Sequence, residues 1–217
     1  WGTSTRLVGA LIMVHGDERG LRLPPNVAPI QVIILPIAQH KAGVLDKAYE
    51  LKQRLSESNV RVEVDDSDNS AGWKFNQYEM KGVPLRLEVG PRDIENNVVT
   101  LVRRDTHEKI TVSMNSLENE IKTILESIQQ NLYNQAKQFV DHCSVDVNTM
   151  DELVDVVAKG KVGVGYHCGD IDCEQKLKEE TGIQTRVIIS ECLPDDEHKC
   201  IHCGKKAKHK IYFAKQY

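Results

Sequence analysis

Four cysteines carry the most explicit chemistry in this sequence. Cys168-x4-Cys173 and Cys200-x2-Cys203 are two close pairs, with Cys200 27 positions after Cys173. Two such pairs joined by a foldable segment can bring four thiolates onto a tetrahedron, the shell of a structural zinc ion. Gly204, just after the second pair, lets backbone amides turn toward the sulfurs. A closed shell has no open position for substrate, so the role it implies is structural. Two other readings stand beside zinc. Cys200-x2-Cys203 has the spacing of a redox dithiol, although that motif normally opens a helix after a strand, and the flanking His198-Lys199 and Gly204-Lys205-Lys206 do not resemble one. All four thiols could also be free. His167, His198 and His202 lie beside the cysteines as competing ligands or as supports outside the shell. Cys192 is the nearest wrong ligand, and Cys143 has no paired partner in sequence. The all-cysteine set is preferred, with Lys199, Lys205 and Lys206 offsetting its negative charge.

A second, polar constellation runs from Gly72 to Asp105. Trp73, Tyr78 and Met80 interleave with Lys74, Gln77, Glu79 and Lys81 in a short amphipathic helix that Gly82 and Pro84 end. Leu85, Leu87 and Val89 then alternate with Arg86 and Glu88, a strand with one apolar and one charged face. Arg103-Arg104 close a later strand and Lys109 opens another. Donors and acceptors of these types can read the hydrogen-bonding edges of a polymer. Equally, the charged strand face can be an ordinary solvated surface.

The elements that must position these residues read as an alternation of strands and helices. Ile30 to Ile37 is a near-continuous apolar strand suited to burial on both faces. Leu45, Ala48, Leu51 and Leu55 have helical spacing, and Val60 to Val64 alternates as a strand. Val98 to Arg103 and Lys109 to Val112 form a hairpin about a turn at Asp105 to Glu108. Asn115 with Glu118 starts a long helix whose apolar positions keep their period from Leu117 to Phe139. Thr149 with Glu152 opens a further helix stopped by Gly160. A strand (161–166), a helix (171–181), a strand (185–189) and a last strand (210–214) follow. The first 28 residues read as a strand end, a helix from Ser4 to His15 and an exit through Gly20, Pro24 and Pro25.

Length allows one large or two modest domains among the 217 residues, and 40% hydrophobic with 28% charged content describes an ordinary globular chain. The absence of a span-length apolar run and of a secretory leader leads us to expect a cytoplasmic chain with reduced cysteines and no membrane partner. It begins at Trp1 rather than Met and reads as a piece of something longer. A net charge of -4 excludes bulk electrostatic capture of nucleic acid, so any RNA binding must be local. One local candidate is the stretch from His198 to Tyr217, with six lysines and no acidic residue; a flexible charged tail explains it equally.

Seven segments resemble, in order and over the whole length, the prolyl-tRNA synthetases of the branch shared by archaea, eukaryotes and some bacteria. They are WGTSTR, MVHGDERGLRLPP, GWKFNQYEMKGVPLRLEVGPRD, VRRDTHEK, HCGDIDCE, CIHCGKKA and the terminal IYFAKQY. The resemblance implies an α/β fold: an anticodon-binding domain with a mixed five-stranded sheet flanked by helices, then a small α/β zinc-binding domain. It implies limits of 1–28 for the end of a class II catalytic core with its linker, 29–140 for the anticodon-binding domain and 141–217 for the zinc-binding domain.

Residue roles follow from the same resemblance. Arg6 matches the motif 3 arginine that grips the ATP γ-phosphate, with Trp1, Gly2, Ser4 and Thr5 around the ATP and amino-acid pocket. Thr3 departs from the leucine that relatives often have. Glu79, Arg86 and Lys109 match the residues that read the two adjacent guanines in the anticodon of proline tRNA. Guanine needs donors to O6 and N7 and an acceptor for N1–H and N2–H₂, which these types supply. Arg103 and Arg104 are expected as phosphate contacts. The four cysteines match the family's zinc ligands, and the terminal carboxylate of Tyr217 would reach back toward the catalytic domain.

The parent enzyme would use ATP and Mg²⁺ to activate proline and pass it to the tRNA, as a homodimer. This chain lacks motifs 1 and 2 and is not expected to catalyse alone. Two other function classes compete: a non-catalytic, zinc-stabilised RNA-binding accessory module, and a zinc-stapled interaction module. The Arg6 segment favours the enzyme, since an accessory module has no use for half of motif 3.

Overall fold

The two largest groups of buried apolar residues are separate, and the chain divides accordingly into compact units at 1–136 and 137–217. The structure, a computed structural model, describes residues 2–191 and 194–216. The expectations placed on Trp1, Cys192 and Tyr217 lie outside the described residues.

The first unit opens with α1 (Arg6–His15), which has no buried residue and leaves Leu7, Val8, Ile12, Met13 and Val14 exposed. A two-stranded antiparallel hairpin, β1 (Gly16–Asp17) and β2 (Gly20–Leu21), follows in what reads from sequence as linker. Then come β3 (Val32–Pro36), α2 (Val44–Glu57), β4 (Val62–Val64), α3 (Ala71–Met80), β5 (Leu85–Val89), α4 (Pro91–Glu95), β6 (Val98–Arg103) and β7 (Lys109–Ser113). The strands form one sheet in the order β4-β3-β5-β6-β7, parallel about β3 and antiparallel beyond β5. This is the expected mixed five-stranded sheet.

Both faces of β3 are covered, which is why its five residues read as an unbroken apolar run. Val32 and Ile34 enter the main core with Ala48, Leu51 and Leu55 of α2, while Ile33 and Leu35 meet Phe75 and Tyr78 of α3 on the other face. The long α5 (Leu117–Cys143) seals the main core through Leu117, Ile121, Ile124, Leu125, Ile128 and Leu132, a stripe at helical spacing. Helix α4 follows β5 directly. Pro91 takes its first position, where a missing N–H costs nothing, and the Asp93 carboxylate accepts the Gly90 amide at 2.8 Å.

The second unit contains β8 (Ser144–Asp146), α6 (Met150–Ala158), β9 (Val162–His167), α7 (Ile171–Thr181), β10 (Ile183–Ile188) and β11 (His209–Lys215). Its sheet order is β10-β11-β9-β8, over a core of Val147, Leu153, Val157, Leu177, Ile183, Ile211 and Phe213. The Thr149–Glu152 capping box starts α6 as expected. Strand β8 has no counterpart in the sequence reading, because three residues directly after a helix show no period. Among the described residues no helix is long and apolar enough to cross a membrane.

Candidate functional site

Sheet register brings the polar constellation together. Arg86 on β5 lies opposite Val102 on β6, and Val102 lies opposite Lys109 on β7. Residues in register share a face, so Arg86 and Lys109 flank Val102 on the face opposite Leu85 and Leu87. Both line a cavity of about 200 Å³ that Glu79, Arg103 and Arg104 also line, together with Arg19 and His107. The charged strand face is therefore not a plain solvated surface: α3 covers part of it. The Arg86 guanidinium lies 4.1 Å from the Phe75 ring centroid, and its Nε donates to Glu88 at 2.8 Å.

Two glycines let the β1–β2 hairpin dock against the end of α3. A Cβ on Gly20 would sit 2.5 Å from the Met80 carbonyl oxygen, and one on Gly82 would sit 2.6 Å from Leu21 Cβ. Both also have positive φ, so a larger residue is excluded twice. The docking carries Arg19 to 3.0 Å from Glu79 Oε1, and the β6–β7 turn brings His107 Nδ1 to 3.5 Å from the same oxygen. Sequence reasoning missed both residues. Arg19 lies in a stretch that reads as linker, and nothing local reveals that this stretch meets α3.

Arg103 and Arg104, expected as phosphate contacts, are both engaged by carboxylates within the protein. Arg104 is buried; its terminal nitrogens donate to both Asp17 oxygens at 2.9 and 2.7 Å, and its Nε donates to the Glu79 carbonyl at 2.9 Å. A buried guanidinium is tolerated when a carboxylate faces it, and here the carboxylate comes from the hairpin. The Arg104 bonds hold the Asp17 carboxyl down at about 2. Arg103 grips Asp105 with two nitrogens at 2.9 and 2.7 Å and reaches Ser127 at 3.0 Å. Burial pushes the Asp105 carboxyl up, but the hydrogen bonds from Arg103 and Asn131 outweigh it and hold the group below its usual range.

At the other end of the chain's first unit, Gly2, Ser4, Thr5 and Arg6 are exposed ahead of and at the start of α1. The Arg6 amide donates to Ser4 Oγ at 3.4 Å, and among the described residues Arg6 has no ion-pair partner. It does not join the cavity described above.

The cysteines converge in the second unit. Cys168 follows β9, Cys173 lies in the first turn of α7, and Cys200 and Cys203 sit in a tight knuckle that the Gly204 amide closes on the Cys200 carbonyl at 3.0 Å. The sulfurs of Cys173 and Cys200 are 3.9 Å apart, and those of Cys168 and Cys203 are 3.6 Å apart. A tetrahedral four-sulfur shell with bonds of about 2.3 Å needs sulfurs about 3.8 Å apart. These two separations match that shell. The ligand atoms of His167, Cys168, Cys173 and Cys200 all lie within 4.8 Å of one another and could hold a metal ion. His167 thus stands where a competing ligand would, one of the two roles its sequence position leaves open, and Cys203 is not among these four.

Burial raises the thiols of Cys168 and Cys173. At Cys203 burial works the same way, but the Lys205 amide and the neighbouring sulfurs outweigh it and bring the thiol to about 7. His202 stands 3.2 Å from Cys173 Sγ, while His198 stacks on Tyr166 with ring centroids 3.9 Å apart. The lysine-rich end is less free than its sequence implies. Lys205, Lys206 and Lys210 face Asp170, Asp196 and Asp146. Cys143 is half-buried at the end of α5, outside this group.

Comparison with known proteins adds to this geometry. Residues 31–124 match the family model of the anticodon binding domain, and residues 150–217 match that of the prolyl-tRNA synthetase C-terminal domain. The chain thus carries, in turn, a region similar to each of these two families. The first match holds the sheet that carries Arg86 and Lys109, and the second holds all four clustered cysteines. Curated relatives align over the entire chain: a proline–tRNA ligase of Clostridium novyi at 53% identity, a proline–tRNA ligase 2 of Bacillus cereus at 51%, and a proline–tRNA ligase of Alkaliphilus oremlandii at 51%. The chain spans 45% of the length of each.

Proposed function

We propose that this chain is the C-terminal part of a prolyl-tRNA synthetase and that its first unit reads the anticodon of proline tRNA. The observation that carries the reading is the arrival of Glu79, Arg86 and Lys109, from α3, β5 and β7, at one cavity. Arg86 and Lys109 donate to guanine O6 and N7, and Glu79 accepts from N1–H and N2–H₂. Phe75 holds Arg86 in place from behind. Arg104 acts as a brace that ties the hairpin to α3, and Arg103 ties the β6–β7 turn to α5, so neither is assigned to a phosphate.

In this reading residues 1–28 are the end of a class II catalytic core with its linker, 29–140 the anticodon-binding domain and 141–217 the C-terminal domain. Helix α1, with five exposed apolar side chains and none buried, packs against the remainder of that core, a region the longer relatives contain. Arg6 there contacts the ATP γ-phosphate through its planar, permanently charged fork, beside Gly2, Ser4 and Thr5. ATP, Mg²⁺ and proline belong to the full enzyme, a cytoplasmic homodimer. Zinc on Cys168, Cys173, Cys200 and Cys203 holds β9, α7 and the knuckle together without taking part in aminoacylation.

Titrating the chain with a proline-tRNA anticodon stem-loop tests the reading. Arg86→Ala and Lys109→Ala are each expected to weaken binding by roughly 5- to 150-fold. Unchanged binding in both would remove the cavity from recognition. Proline-dependent ATP–pyrophosphate exchange by this chain alone is expected to be absent.

A further inference from the structure

We propose that His202, oriented by Glu180, is a positioning residue of the cysteine centre and raises its affinity for metal. The inference rests on the zinc reading above. His202 sits in the knuckle between Cys200 and Cys203, and its Nδ1 lies 3.2 Å from the sulfur of Cys173. Its other ring nitrogen, Nε2, meets a Glu180 carboxylate oxygen at 3.1 Å. Cys173 and Glu180 are seven residues apart on α7, two helical turns, so both lie on one face and reach the same ring. The result is a Glu180–His202–Cys173 chain that laces α7 to the knuckle. Those two elements carry Cys173, Cys200 and Cys203.

The geometry distinguishes this histidine from its neighbours. The His202 side chain is only 13% exposed, whereas Glu180 is 61% exposed and has no other ion-pair partner among the described residues. A surface carboxylate committed to one half-buried ring does little for stability. Its effect is on the ring: an imidazole bonded at both nitrogens cannot turn, and so holds the sulfur it touches in one direction. Groups that orient a ligand from outside the shell change metal affinity by about 10- to 100-fold when removed. Among the described residues His198, stacked on Tyr166 and paired with Asp195, makes no contact of this kind with a cysteine.

The test is zinc affinity of the full 217-residue chain by competition with a chromophoric chelator, with the visible spectrum of the cobalt(II) form as a second readout. His202→Ala is expected to lower zinc affinity roughly 10- to 100-fold. Glu180→Gln, a surface change that leaves packing intact, is expected to lower it less, in the same direction. The cobalt spectrum should be that of four sulfurs in all three proteins. Wild-type affinity in both variants would overturn the inference while leaving the zinc reading intact. So would a wild-type spectrum of three sulfurs and one nitrogen that changes on His202→Ala, since His202 would then be a ligand. Failure of the wild-type chain to take up zinc would overturn the zinc reading and this inference together.

Discussion

In the pocket around Glu79 the arginines already have carboxylate partners: Arg19 with Glu79, Arg86 with Glu88, Arg103 with Asp105 and Arg104 with Asp17. In the cysteine cluster the sulfurs face one another. In the first arrangement the arginine charges are balanced before any ligand arrives, so a ligand there gains only the difference between its own contacts and those it displaces. The second gathers four potential anions, a set that can accept a cation. Changes in the pocket should therefore appear mainly in binding, whereas changes in the cluster should appear in folding.

The largest expected effect falls on the cluster. Cys200→Ser, or stripping metal with a strong chelator, should destabilise the second unit by more than about 4 kcal/mol. Hydrogen exchange would show protection lost in β9 and β11 while β3 and β5 keep theirs. Equal loss in both units would break the comparison.

Asp17→Ala is the exception that sharpens it, because it leaves the Arg104 guanidinium buried and unpaired. It should cost about 3–5 kcal/mol in the first unit. The same pair gives a pH signature. Asp17 titrates at about 2 in the fold against an ordinary 3.8, so its contribution is fully present above 3.8 and lost as pH falls toward about 2. Denaturation profiles should show that acid limb flattened in the variant.

Arg86→Ala should cost about 1–3 kcal/mol of binding to the cognate anticodon with little change in the thermal midpoint. A large fall in midpoint would mean that Arg86 stacked on Phe75 is a structural group. The smallest effect belongs to Thr149→Ala, which removes the cap of α6 and should cost about 1 kcal/mol in the second unit. Measured with and without metal, it separates ordinary helix stability from the metal's share.

What the sequence made legible follows the reach of each interaction. The cysteine spacing, the Thr149–Glu152 box, the α7 limits and the alternation of β5 are local, and they reappear in the structure. Arg103 and Arg104 looked alike as adjacent cations, yet their surroundings are set at long range. Arg104 meets Asp17 from 87 positions upstream, and Arg19 meets Glu79 across 60. No periodicity encodes such pairs. His202 was visible as a neighbour of the cysteines, but what separates it from His198 is its contact with the Cys173 sulfur, 29 positions away on another element.

The most direct test of the central claim is the affinity of this chain for proline tRNA and for a copy with both anticodon guanines replaced, at one fixed salt concentration. A clear preference for the intact anticodon, lost in Arg86→Ala, is expected. Equal affinity for the two RNAs would contradict it and reduce the contact to unspecific attraction.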